Sequence, residues 1–212
     1  AEIVIANTFS TSRHLLEAAG LEGNFEQMNR RGVELAREAR ENVADHPVAV
    51  AASISTTTMK RAPPPRDVAR RNFADQARIL AAAGADLIIL EMMRDVEYTG
   101  YALEGALSTG LPVWVGFSAY RDGDGRLIMF DDKTLFADGV AGVDMTGVAV
   151  AGIMHTMTEA VPEAMEEVEK HWNGPLCVYA HSGVFEMPHW RFLDVISPDD
   201  YAHHALAWVK RG

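Results

Sequence analysis

Short, almost continuous apolar segments alternate with longer amphipathic segments along the whole chain. The apolar segments are typical of strands that are buried on both faces of a parallel sheet. They predict six strands, at Glu2–Ala6, Val48–Ser53, Asp86–Met92, Val113–Ser118, Met145–Met154 and Leu176–His181.

The amphipathic segments predict six helices, at Phe25–Arg40, Asp67–Ala83, Val96–Ser108, Leu135–Val140, Glu159–His171 and Asp199–Lys210. Gly84, Gly110, Gly142 and Gly174 each stand between a helix and a strand, where we expect a left-handed C-cap. Ser197 is followed by proline and two acidic residues, which is the pattern of a helix start.

Strand–helix alternation at this spacing predicts repeated βαβ units and a parallel sheet, either open and doubly wound or closed into a barrel. The loop after the first strand, residues 7–12, contains no glycine, whereas a doubly wound dinucleotide-binding fold needs a glycine-rich loop there. The chain begins on a strand and ends on a helix. We therefore expect a parallel (β/α)8 TIM barrel whose first and eighth strands are absent from this chain, in a single domain over residues 1–212.

Composition and charge narrow the class of protein. With 48% hydrophobic and 23% charged residues, the chain has an ordinary globular composition and enough length for one core. Its formal net charge of -11 repels nucleic acid and anionic lipid, so we expect neither as a partner. No apolar run reaches the roughly 18 to 20 residues that span a bilayer. The single cysteine, Cys177, allows no intrachain disulfide, which favours a cytoplasmic location.

Polar side chains close the predicted strands. In a barrel, the carboxyl ends of the strands converge on the active site, so we expect these side chains to lie near one another. The candidates are Asn7, Thr8, Ser53, Ser55, Glu91, Ser118, His155, His181 and Ser182.

The three titratable side chains of this set are those of Glu91, His155 and His181. A carboxylate at Glu91 can bind an amine, ligate a metal or act as a base, or it can simply pair with Arg94. An imidazole at His155 suits metal ligation or proton transfer, and His181 either joins the same site or caps its strand. Cys177 lies within a strand and is expected to be an inert thiol.

Several segments, in order, resemble the homocysteine S-methyltransferase family. Residues 6–9 (ANTF) are similar to the family's Thr-Asn-Thr-Phe and residues 52–54 (ASI) to its Gly-Ser-Ile. Residues 83–87 (AGADL) with Leu90–Met92 are similar to its Gly-x-Asp-Leu followed by Glu-Thr. Residues 178–183 (VYAHSG) resemble its Val-Tyr-Pro-Asn-Ala-Gly.

The resemblance implies a barrel enzyme that moves a methyl group from a methylated onium donor to the sulfur of homocysteine and forms methionine. It implies zinc, which would hold that sulfur as a thiolate. Glu91 and His155 would be the catalytic residues. Glu91 would bind the amino group of the substrate, and His155 stands where the family has its first cysteine ligand of zinc. The other substrate-binding residues implied are Asn7, Thr8, Ser53, Ser118 and His181.

Two other functions stay open at this point. The first is a metal-dependent barrel hydrolase or lyase that uses Glu91, His155 and His181 as ligands. The second is a non-catalytic barrel that binds a small amino acid. The partners expected are a thiol amino acid and a methyl donor, and the sequence leaves homo-oligomer formation open.

Overall fold

The computed structural model describes residues 2–58, 61–186 and 191–211. Within these ranges the strands are β1 Ile3–Ala6, β2 Ala49–Ile54, β3 Leu87–Met93, β4 Val113–Phe117, β5 Ala119–Arg121, β6 Leu127–Met129, β7 Val150–Met157, β8 Leu176–His181, β9 Val184–Glu186 and β10 Arg191–Leu193. The helices are α1 Arg13–Ala18, α2 Phe25–Val43, α3 Arg66–Ala82, α4 Val96–Leu107, α5 Phe136–Ala141, α6 Val161–Glu169 and α7 Pro198–Arg211. None of the helices in the described ranges is long and apolar enough to cross a lipid bilayer.

Six strands form one parallel sheet in the order β1-β2-β3-β4-β7-β8. Every strand therefore lies beside the next parallel strand of the chain, whereas a doubly wound sheet reverses its order partway. This unbroken order is that of a barrel wall, and it confirms the predicted parallel barrel. Two short antiparallel hairpins, β5–β6 and β9–β10, follow the carboxyl ends of β4 and β8 and were not predicted.

The start of β7 and two of the C-caps were predicted wrongly. The apolar run from Met145 is not a strand until Val150, because an Asp144 carboxylate accepts the N–H of Thr146 and Gly147 turns the chain at φ +86°. Gly84 and Gly110 adopt the expected positive φ, but Gly142 and Gly174 do not.

At Gly142 and Gly174, the close approach of neighbouring side chains explains why the residue is a glycine. A Cβ on Gly142 would lie 3.1 Å from Val96, and one on Gly174 would lie 2.5 Å from the Trp172 ring. The predicted start of the last helix is confirmed, since Ser197 Oγ accepts the N–H of Asp200 at 3.1 Å.

Alternation along β3 directs its side chains to two separate apolar layers. Ile88 and Leu90 belong to the large core between the sheet and the helices, whereas Leu87 and Ile89 belong to a smaller cluster on the other face. Side chains two residues apart share a face of a strand, so Glu91 continues the face of Leu87 and Ile89. That face is the inside of the barrel wall.

The close approach of α3 and α4 predicts opposite effects for two glycines of α4. A Cβ on buried Gly105 would lie 2.9 Å from the backbone N of Ala74 in α3, whereas a Cβ on Gly100 meets nothing within 4 Å. We expect Gly105→Ala to lower the free energy of unfolding by roughly 1 to 3 kcal/mol, because the helices must separate. Gly100→Ala should raise it by roughly 0.5 to 1 kcal/mol, because alanine favours helix. Urea unfolding measures both, and equal effects would contradict this packing.

Candidate active site

Glu91 lies near the carboxyl end of β3 and is almost completely removed from solvent, with 7% of its surface exposed. The hydroxyl of Ser53, at the corresponding end of β2, donates a hydrogen bond of 2.6 Å to Glu91 Oε2. Ser53 itself is fully buried. The two residues predicted from adjacent strand ends therefore meet on the inner face of the barrel wall.

A line of hydrogen bonds connects Glu91 to both candidate histidines. His155 Nε2 is 2.9 Å from Glu91 Oε1, and His155 Nδ1 is 2.9 Å from His181 Nε2. The two imidazole rings meet edge to face, with centroids 4.9 Å apart. Strands β3, β7 and β8 thus contribute one titratable group each to a single array.

Two of the three strands that carry the array, β3 and β7, are irregular at or next to the functional residue. The pairing of β3 with β4 shifts between Leu90 and Met93, and Met92 adopts φ +60°. The pairing of β7 with β8 shifts between Met154 and Met157, and His155 itself adopts φ +52°. Bulges re-aim side chains near active sites, and a positive φ on a non-glycine residue costs about 1 kcal/mol or more. Surrounding contacts must therefore hold this conformation.

Hydroxyl groups supply those contacts beneath His155. Ser118 Oγ donates 2.6 Å to the carbonyl of Met154, and Thr156 Oγ1 donates to the same oxygen at 3.1 Å. Thr156 Oγ1 also accepts the N–H of Ala119 at 3.0 Å. Ser118 is thus placed at the site, but its hydroxyl fastens the bulge that presents His155.

The environment of Glu91 keeps it charged. Burial by itself would raise the pKa of this carboxyl, but the hydrogen bonds from His155 and Ser53, with the positive charge that His155 can carry, outweigh burial, so the net effect lowers the pKa. Burial, together with the negative charge of Glu91, raises the pKa of the Tyr179 hydroxyl. Both shifts agree with a carboxylate, not a carboxylic acid, at the centre of the site.

His181 is held neutral at ordinary pH. Burial and the positive charge that His155 can carry lower the pKa of His181 to about 4. A neutral imidazole can accept a hydrogen bond at one nitrogen and donate at the other, as the array requires.

Aromatic rings next to His155 were not singled out by the sequence. The centroid of Phe9 lies 5.9 Å from the imidazole, and that of Tyr179 lies 5.3 Å from it. Phe9 directly follows the predicted site residues of the first loop, and Tyr179 stands two positions before His181, so both lay within the quoted motifs. Their apolar character made them resemble ordinary core residues.

The remaining predicted residues do not belong to the array of Glu91, His155 and His181. Asn7 is exposed in the loop after β1, and Ser55 Oγ accepts the N–H of Thr57 at 3.1 Å. The carbonyl of Ser182 accepts the N–H of Ile196. Thr8 is fully buried, with its hydroxyl bonded to the backbone of Ser53. Burial raises the pKa of the Cys177 thiol to about 11, in agreement with an inert thiol.

The described residues do not by themselves fit a zinc ion. Zinc requires three or four nitrogen, sulfur or oxygen ligands that converge on one point. Within the part of the chain that the structure describes, no group of three or more histidine, cysteine, aspartate or glutamate side chains is arranged in that way. Both ring nitrogens of His155 face hydrogen-bonding side chains instead.

A carboxylate and two linked imidazoles can perform two tasks. The carboxylate can bind a cationic group, such as an ammonium, through the lone pairs that Ser53 and His155 leave unused. The imidazole pair can take up a proton, because a neighbouring carboxylate stabilises the imidazolium that results.

A family model described as homocysteine S-methyltransferase matches residues 1–212 of the chain. A search of curated protein sequences found no match to the chain.

Three solved structures with a similar fold are of the homocysteine methyltransferase MmuM from Escherichia coli. The metallated form has a TM-score of 0.70 at 22% identity, over 86% of this chain and 68% of that one. The oxidized form gives 0.69 at 22% identity over 86% and 66%, and the apo form gives 0.63 at 23% identity over 86% and 67%. These likenesses support the barrel fold, and this chain spans about two thirds of the length of that enzyme.

The lowered pKa of His181 predicts a pH dependence of stability. His181 takes up a proton near pH 6.5 in an unfolded chain but only near pH 4 in the folded protein. Between these values the unfolded state binds more protons, so stability rises with pH. We expect a lower free energy of unfolding near pH 5 than near pH 7, and a smaller difference in His181→Asn. Urea titrations measure it, with His203→Asn, an exposed histidine of α7, as control. An unchanged difference in His181→Asn would show that His181 is not the group responsible.

Proposed function

Because the chain belongs to the homocysteine S-methyltransferase family, we propose that it transfers a methyl group from a methylated donor to the thiol of homocysteine, or of a similar thiol, to give methionine. The observation that carries the proposal is the array of Glu91, His155 and His181 on the inner face of the barrel wall. It combines an anionic group that can hold an amino acid with a pair of groups that can take a proton.

Glu91 binds the ammonium group of the acceptor in this proposal. A buried carboxylate that stays charged attracts an ammonium more strongly than an exposed one, because little water competes with it. Ser53 and His155 each engage one of its oxygens and so fix the orientation of the carboxylate.

The acceptor thiol must lose its proton before its sulfur can attack. A free thiol, with a pKa near ~8.5, is mostly protonated at neutral pH. The proton passes to His155 in its neutral form, because His181, with a pKa of about 4, is the weaker base, and the charge of Glu91 stabilises the imidazolium. The sulfur then forms a bond to the methyl carbon while the bond between that carbon and the donor's onium atom breaks. The onium atom keeps the electron pair of that bond and leaves as a neutral thioether sulfur or amine nitrogen. No step of this sequence is routed through zinc.

The aromatic side chains favour a cationic donor. Phe9 and Tyr179 lie against His155, and the face of an aromatic ring attracts a methylated sulfonium or ammonium group. S-methylmethionine and betaine are donors of this class. The metal-dependent hydrolase or lyase is not proposed, because Glu91, His155 and His181 are hydrogen bonded in a line and do not converge on one point.

The full-length protein, incubated with homocysteine and each donor, should form methionine, which chromatography detects. Glu91→Gln should raise the KM for homocysteine by roughly 10- to 100-fold, because a hydrogen bond between charged groups contributes about 1.5 to 3 kcal/mol. Glu104→Gln, on the exposed surface of α4, is the matched control and should leave KM unchanged.

The outcomes separate the claims. Absence of methionine with any donor, while homocysteine still binds, would point to a non-catalytic amino-acid-binding barrel. If methionine forms but the KM for homocysteine is unchanged in Glu91→Gln, the proposed activity is supported and the role of Glu91 in binding the acceptor is contradicted.

A further inference from the structure

We infer that Thr8 is a positioning residue for Glu91, acting through Ser53 at the inner end of a buried chain of hydrogen-bonding side chains that begins on α3. The inference rests on the proposed function in one respect, that Glu91 holds the acceptor. It gives Thr8, which the sequence suggested as a substrate contact, a structural task at the same site.

The Thr8 hydroxyl forms hydrogen bonds with both the backbone carbonyl and the backbone N–H of Ser53. Thr8 Oγ1 donates to the carbonyl of Ser53 at 2.8 Å and accepts the N–H of Ser53 at 2.9 Å. The ladder between β1 and β2 ends with the pair Ala6 and Ala52, one residue earlier. One side-chain hydroxyl thus continues the strand pairing for one further residue and fixes the backbone from which the Ser53 side chain extends.

Ser53 transmits this constraint to the carboxylate. Its hydroxyl has a single hydrogen, which it gives to Glu91 Oε2 at 2.6 Å. Since His155 engages the other oxygen, the plane of the carboxylate is set from two sides. A rotation of the Ser53 backbone would therefore turn or release Glu91.

Thr8 is in turn held by the loop that follows it. The carbonyl of Thr8 accepts hydrogen bonds from the N–H of Thr11 at 3.3 Å and from Thr11 Oγ1 at 2.9 Å. Thr11 Oγ1 also lies 2.7 Å from Asn29 Oδ1, and Asn29 Nδ2 donates to the carbonyl of Thr11 at 2.9 Å. Residues 8–11 are thereby tied to α2.

Asn29 is the anchor on the helix side. It is fully buried, its Nδ2 also donates to the carbonyl of Phe25 at 2.8 Å, and its Oδ1 accepts a hydrogen bond from Gln76 Nε2 of α3 at 3.0 Å. Gln76 is 1% exposed. Buried amides are costly unless they are satisfied, and a satisfied network is rigid and specifies one geometry. A rigid polar path therefore leads from α3 to Glu91.

Close packing supports the same constraint. A Cβ on Gly32 of α2 would lie 2.7 Å from Thr8 Cγ2, so the methyl group of Thr8 fits against the helix only because residue 32 is glycine. The methyl and the hydroxyl of Thr8 are thus both engaged, and Thr8 has a single orientation.

Matched substitutions of Thr8 in the full-length protein test the inference. Thr8→Val keeps the shape and removes the hydroxyl, whereas Thr8→Ser keeps the hydroxyl. We expect Thr8→Val to raise the KM for homocysteine about tenfold, with the KM for the donor within about twofold, and Thr8→Ser to restore a KM near that of the natural protein. Thr99→Val removes another fully buried threonine hydroxyl, which donates to the carbonyl of Asp95 just before α4, and should change neither constant.

A second readout does not depend on turnover. The imidazole 15N resonances of His155 report its contact with Glu91, so they should move in Thr8→Val and in Ser53→Ala and return in Thr8→Ser. Circular dichroism establishes that each variant is folded, and Ser53→Ala breaks the contact with Glu91 without removing the Thr8 hydroxyl.

The results distinguish the two proposals. If no methionine forms but the His155 resonances respond as expected, the proposed function fails and the positioning role stands. His155 resonances that move in Ser53→Ala but stay unchanged in Thr8→Val would overturn the positioning role. So would an equal rise of KM for both substrates, or the same effects in Thr99→Val.

Discussion

Glu91 is a negative charge that has been taken out of water, and the site is arranged around it. An uncompensated buried carboxylate would be protonated or would destabilise the fold by several kcal/mol. Hydrogen bonds from Ser53 and His155 prevent both, and the lowered pKa of Glu91 is the sign that they do. Ser53 must be aimed for this, which explains the hydroxyl of Thr8 on its backbone. His155 must also be turned, which explains the bulge in β7.

The two histidines stand at positions where the sequence differs from the family segments that it resembles. In that resemblance, His155 is matched to a cysteine and His181 to an asparagine. The structure brings them within 2.9 Å of each other. The two departures therefore form one physical unit, and a change at one position alters the hydrogen-bonding partner of the other. Among the described residues, this unit is better suited to handling a proton than to completing a zinc site.

Periodicity in the sequence was enough to predict the wall of the barrel and the convergence of its strand ends. The six apolar runs became the six parallel strands because strands covered on both faces need apolar residues at every position. The same logic placed Ser53, Glu91, His155 and His181 together. Periodicity failed where side chains capture the backbone. With Asp144 accepting the N–H of Thr146, β7 begins five residues later than the predicted start at Met145. Met92 and His155 adopt positive φ angles although neither is a glycine, so nothing in the sequence signals them.

We expect the acceptor amino acid to bind at the array of Glu91, His155 and His181. The most direct measurement is the imidazole NMR spectrum of the full-length protein, labelled with 15N at histidine, as homocysteine is added. The resonances of His155 and His181 should shift together and saturate, while those of exposed His203 should stay in place. Saturable binding of homocysteine by calorimetry, with no movement of the His155 and His181 resonances, would contradict this expectation.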